Sequence, residues 1–190
     1  IADGEFCWLF SDDDRLMPGA IANVLSVLKK NSDVKGAFCN RVSYDSNMEK
    51  RVAETRDWPS VYFFENTILT SKTECFKYFG MDLGFISSQI VKRTAWQRVT
   101  EKENLKNLHQ TCYLMFHIIG KMMNDKFSWL YISTPLLKQR TGNDSFLKSR
   151  GVINRQLIEH ENFSKLVLLH YDRKSKEYYL FFKKMVNRLP

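Results

Sequence analysis

The four cysteines of this sequence, Cys7, Cys39, Cys75 and Cys112, stand far apart and mostly inside apolar stretches, so no C-x-x-C spacing offers a zinc or redox site. They read as reduced core thiols. The histidines are equally scattered, and none shows the i, i+4 pairing that places two imidazoles on one helix face. No apolar run approaches the ~20 residues needed to cross a bilayer, and no signal-peptide pattern follows Ile1. Internal repeats and low-complexity tracts are missing too, which removes solenoid and linker-like readings. The expectation from these absences is a cytoplasmic globular protein.

The 190 residues fit one domain, with 44% hydrophobic residues to bury in a core. The chain begins at Ile1, and Glu5 to Ser11 already reads as a buried strand, so residues are expected to precede it in a truncated fold. A net charge of +8 implies an anionic partner: nucleic acid, a phosphorylated substrate or a membrane surface. From Lys138 onward there are 12 Lys or Arg against 5 Asp or Glu, so the excess sits in the last quarter. This divides the chain into a main part, 1–146, and a basic, aromatic tail, 147–190.

Hydrophobic periodicity predicts strands interspersed with helices, an α/β pattern. Glu5–Phe10 reads as a strand that stops at Ser11-Asp12-Asp13-Asp14. Pro18-Gly19 opens a helix carrying Ile21, Val24, Leu25 and Leu28, which ends at Asn31-Ser32-Asp33. A strand over Val34–Cys39 follows, then a polar loop or weak hairpin from Arg41 to Pro59. The pattern next predicts a helix over Lys72–Phe79, a turn between Gly80 and Gly84, a strand over Phe85–Val91 and a helix capped by Thr94. An apolar stripe of Leu105, Leu108, Cys112, Met115, Ile119 and Met122 predicts one helix from Asn104 to Asn124. Ser128–Lys138 reads as a strand, Arg140–Phe146 as the loop leaving it, and the chain from Val152 as helical.

Three adjacent carboxylates at a strand end repel one another by as much as ~4 kcal/mol per close pair near a protein surface, so they need compensation. A hard Mg²⁺ or Mn²⁺ ion shared with substrate phosphates would supply it, and the C-terminal ends of strands are where open α/β sheets bind ligands. An acidic turn favourable to the following helix dipole accounts for the same residues. The surroundings extend the argument. Trp8–Gly19 resembles the D-x-D segment of GT-A glycosyltransferases of the family-2 type. Gly84–Arg93 with Trp96 is similar to the acceptor-side strand and helix of bacterial members such as the abequosyltransferases. Pro135–Phe146, containing Arg140-Thr141-Gly142-Asn143-Asp144-Ser145, resembles the R-x-G-N-D-S segment near the end of that group.

The resemblance implies an α/β fold with a GT-A-like mixed sheet flanked by helices: the C-terminal part of the catalytic domain over 1–146, lacking its nucleotide-base-binding strands and followed by a helical tail. It implies an inverting, metal-dependent transfer from a nucleotide-sugar to a saccharide or lipid-linked acceptor, in surface polysaccharide synthesis at the inner face of the membrane. On it, Asp13 matches the metal-binding carboxylate and Asp12 one that faces the donor and shares the metal, with Asp14 as a helper. Arg140 and Asn143 fall on the donor side, and a guanidinium is in its own right the natural partner of a diphosphate. The base that deprotonates the acceptor stays open among His109, Asp82 and Glu103. The tail mixes cations and aromatics suited either to peripheral membrane contact or to packing on the domain. A metal-dependent nucleotidyl- or phosphotransferase is the rival enzyme class. A basic nucleic-acid-binding domain is the non-enzymatic rival, but no recognised nucleic-acid-binding motif is present, so nucleic acid is not the expected partner.

Overall fold

A computed structural model describes residues 2–52, 63–124, 126–143 and 145–186. Its strands are β1 (Phe6–Trp8), β2 (Arg15–Leu16), β3 (Gly36–Tyr44), β4 (Thr67–Leu69), β5 (Gln89–Lys92) and β6 (Trp129–Arg140). Its α-helices are α1 (Ala20–Lys30), α2 (Lys72–Phe79), α3 (Arg93–Lys102), α4 (Leu114–Met122), α5 (Ser145–Leu168) and α6 (Lys176–Val186). The strands form one mixed sheet in the order β1-β5-β3-β6-β2, with β4 also on β6. Among the described strands only β3 and β6 run parallel; the other pairs are antiparallel. The expected α/β sheet with flanking helices is thus what the chain forms.

Period-two alternation sorts the strand residues between two core layers. Ala37 and Cys39 of β3, with Leu130 and Ile132 of β6, face Ala20, Val24 and Leu28 of α1. Phe38, Trp129 and Tyr131 face the larger layer built from α2, α4, α5 and α6. α1 starts after Gly19, whose φ of 76° is a left-handed conformation that glycine adopts without steric cost. β6 carries β4 along its first half and β2 along its second. Pro135 lies at the seam between them, exposed, where a missing N–H breaks no ladder.

The tail does not stand apart. Phe163, Leu166, Val167, Phe181 and Met185 are buried in the same core as Phe76 and Phe116. The Phe163 and Phe116 rings meet edge to face at 5.1 Å between centroids. Gly151, at φ 76°, kinks α5, and beyond it Val152, Ile153 and Leu157 stay exposed.

Several sequence expectations need correction. The single helix over Asn104–Asn124 is two segments, a 3-10 stretch at Lys106–Thr111 and α4, divided by Cys112 at φ 59°. The break lets Tyr113 stack on Phe163 at 4.2 Å, so tertiary packing overrides the helical stripe. Phe85–Val91 begins as a 3-10 turn at Ile86–Ser88 and becomes a strand only at Gln89. Thr94 makes no capping bond; the N-cap of α3 is Lys92. β3 runs on to Tyr44 before a short hairpin bridges Tyr44 to Arg51, and the remainder of the Arg41–Pro59 segment falls mostly outside the described residues.

Gly36 sits directly opposite Trp129 in the β3–β6 ladder, and a Cβ there would enter the fully buried indole ring. Gly36→Val should therefore destabilise the protein by about 1–3 kcal/mol. At roughly 2–4 °C per kcal/mol for this size, thermal denaturation would show the drop, and an unchanged melting temperature would contradict the packing.

Candidate active site

Strand register brings the acidic turn to its partners. β2 pairs Arg15 with Lys138 and Leu16 with Leu137, so Asp14 comes alongside Arg140, which lies 126 residues away. The Arg140 backbone N–H donates to Asp14 Oδ1 at 3.0 Å. The guanidinium donates through Nε to the Asp13 carbonyl at 3.1 Å and through Nη1 to the Ser46 carbonyl at 3.2 Å. Thr141 Oγ1 donates to the Tyr44 carbonyl at 2.7 Å, tying the end of β6 to the end of β3. Gly142, at φ 77°, then turns the chain in a conformation that strains any other residue. Asn143 Nδ2 consequently reaches Asp13 Oδ2 at 2.6 Å, while Ser11 Oγ donates to Asp13 Oδ1 at 2.5 Å.

The far wall comes from the 3-10 turn before β5. Ser87 is fully buried; its Oγ accepts from Ser11 N–H at 3.0 Å, and its carbonyl accepts from Trp8 Nε1 at 2.8 Å. Gly84, Phe85 and Ile86 close the opposite side of a cleft of about 480 Å³ that Asp13, Asp14, Arg140 and Asn143 also line.

The two lining carboxylates differ electrostatically. Partial burial pushes the Asp13 carboxyl up, but hydrogen bonds from Ser11 and Asn143 and the Arg140 charge outweigh it and hold Asp13 below its ordinary range. Burial raises the Asp14 carboxyl instead, against the opposing pull of the Ser87 hydroxyl and the Arg140 N–H. Asp14 is 8% exposed, and its Oδ2 is buried without a hydrogen-bond partner. Such an orphaned oxygen is costly unless a donor or cation arrives. Asp12 is exposed and is not among the residues lining the cleft.

No group of three or more His, Cys, Asp or Glu gathers as a metal site among the described residues. The residues present suit an ion that takes one or two protein carboxylates and completes its shell with phosphate oxygens and water. Asp13 is ionised with lone pairs to spare, and Asp14 Oδ2 is unsatisfied.

The candidate bases are placed differently. Asp82 is 5% exposed and forms a buried ion pair with Arg41 at 2.7 Å. Arg41 also donates to Gln139 Oε1 at 2.7 Å and stacks over Phe85 at 4.1 Å, so this pair braces two walls of the cleft from beneath. The strand continuation through Arg41 and the buried Ser87 are contributions that the sequence alone concealed. Glu103 pairs with Lys121 at 3.1 Å and faces a different cleft, and His109 lies in the Lys106–Thr111 turn with its side chain outside the described ones.

No known family profile matches the chain. It is similar to the abequosyltransferase RfbV of Salmonella typhimurium, with 27% identity over 180 residues, covering 91% of this chain and 52% of the relative. The chain thus spans about half the length of that relative. Its fold is similar to the crystal structure of S. aureus TarS 1–349 in complex with UDP-GlcNAc. The TM-score is 0.51 at 10% identity, over 98% of this chain and 49% of the other.

Proposed function

We propose that this chain is the C-terminal part of the catalytic domain of a GT-A-like glycosyltransferase. The intact enzyme moves a sugar from a nucleoside-diphosphate sugar to a saccharide or lipid-linked acceptor hydroxyl in surface polysaccharide synthesis. The observation that carries this reading is the junction of Asp13 with Asn143 and Arg140 across 130 residues of sequence, at the strand ends where ligands bind. The similarity to an abequosyltransferase and the fold shared with a UDP-GlcNAc-bound protein support it.

In this account the chain's own groups act on the donor diphosphate. Arg140 is anchored by two backbone carbonyls, which leaves further guanidinium N–H groups for the leaving phosphates. Asn143 and Ser11 orient the Asp13 carboxylate and keep it ionised. A bound Mg²⁺ or Mn²⁺, held by Asp13 and Asp14, would neutralise phosphate charge that develops as the sugar departs. Inversion at the anomeric carbon belongs to the same proposal.

Membrane contact belongs to it as well. The apolar side chains of the tail split between two roles: Phe163 and Phe181 pack in the core, whereas Ile153 (74% exposed), Leu157 and Phe182 face outward, and Arg173 and Lys174 are exposed as well. No helix among the described residues is long and apolar enough to cross a membrane, so the contact proposed is peripheral.

Asp13→Asn in the full-length protein should lower sugar transfer by on the order of 100-fold or more with the melting temperature kept. Chelation of divalent metal should do the same to the wild type. Full activity in either case would refute the assignment. For the membrane contact, Ile153→Ser with Leu157→Ser should reduce binding to anionic vesicles. Removing the whole tail would be uninformative, because Leu166, Val167 and Phe181 hold the core. Undiminished vesicle binding would dismiss these residues as the contact.

A further inference from the structure

A second cleft lies at the opposite end of the sheet. β3 and β6 run parallel, so Lys35 and Lys126, just before them, share one end while Tyr44 and Arg140 share the other. At ~3.3 Å per strand residue the two ends are roughly 25 Å apart. The cleft encloses about 570 Å³, with Ala95, Val99 and Met122 among its lining residues. Among the described residues its charged walls hold five cations, Lys35, Arg98, Lys102, Lys121 and Lys126, against one carboxylate, Glu103.

That carboxylate is already committed, to Lys121 at 3.1 Å and to His117 at 3.5 Å. Among the described residues no carboxylate pairs with Lys35, Arg98, Lys102 or Lys126. Arg98 and Lys102 are one turn apart on α3 and therefore present both charges on one face. Behind the cleft Lys72 adds a sixth cation, donating to Asn124 Oδ1 at 3.0 Å and lying 3.2 Å from His170 Nδ1. Burial and the charge of Lys121 push Lys72 down to about 8, so its charge is held at a cost. Like charges gathered in a concavity focus a positive field, and an anion that spans them relieves the repulsion.

We infer that this cleft is a second anion site, which takes a phosphate-bearing ligand at the sheet end opposite the Asp13–Arg140 cleft. It stands independently of the glycosyl-transfer reading. The phosphate could belong to a soluble ligand or to a lipid headgroup, and the two sources separate experimentally.

The test uses full-length protein, with inorganic pyrophosphate followed by calorimetry in the absence of metal, and phosphatidylglycerol and phosphatidylcholine vesicles followed by sedimentation. Arg98→Glu with Lys102→Glu should weaken binding of pyrophosphate or of phosphatidylglycerol vesicles at least about tenfold. Arg98→Ala with Lys102→Ala should weaken it in the same direction if the charge reversal perturbs folding, and added salt should weaken the wild type. Asn143→Ala, in the other cleft, should leave this binding in place. Pyrophosphate binding that depends on the pair supports the site with a soluble ligand, and vesicle binding alone that depends on it supports the site with a headgroup. Failure of the wild type to bind either probe, or equal binding by the charge-reversed protein, would overturn the inference.

Discussion

β6 has to satisfy three strands at once, and the geometry of the candidate site depends on how it does so. Its two ends, Trp129–Ile132 and Leu137–Arg140, pair with β3 on one edge, while β4 and β2 share the other. The β3–β6 register jumps from Cys39↔Ile132 to Arg41↔Leu137, so Ser133–Leu136 bulges out and the two halves of β6 serve different partners. Asn40 Nδ2 fills the gap by donating to the Ser133 carbonyl at 2.7 Å. Without that shift Arg140 would end elsewhere along β3 and lose its place opposite Tyr44 and its bond to the Ser46 carbonyl.

The second consequence is electrostatic. Three carboxylates in a row are tolerated because the fold gives each a different environment. Asp12 is exposed, Asp13 is surrounded by donors and stays ionised, and Asp14 is buried with a raised pKa and an unsatisfied oxygen. The Arg41–Asp82 pair below them is a structural brace, since removing either partner would leave a buried charge uncompensated.

Much of this was legible in the sequence where the signal was local. The helix over Lys72–Phe79 has its Ser71 cap and its glycine exit, and α1 has its Pro-Gly entry, so both emerge from periodicity and capping alone. Asp13, Asp14, Arg140 and Asn143 were legible through motif resemblance, and the structure brings them together. What stayed hidden depends on partners distant in sequence. The break at Cys112 serves Tyr113 and Phe163, 50 residues apart, and Ser87 is a site scaffold only because Ser11 and Trp8 bind to it. Asp82 and Glu103 stand among the candidate bases in sequence because their partners, Arg41 for Asp82 and Lys121 and His117 for Glu103, are distant along the chain. The tail's mixture of charge and aromatics concealed which rings turn inward.

The central claim is that the ends of β1 and β6 together form the donor-diphosphate site. Hydrogen exchange on full-length protein, read by mass spectrometry with a panel of nucleoside diphosphates and Mn²⁺, tests it most directly. The account predicts that a binding nucleotide protects the peptides spanning Ser11–Met17 and Gln139–Asn143 together and that Asp13→Asn abolishes that protection. Protection confined to other segments, or unchanged in the Asp13→Asn protein, would contradict it.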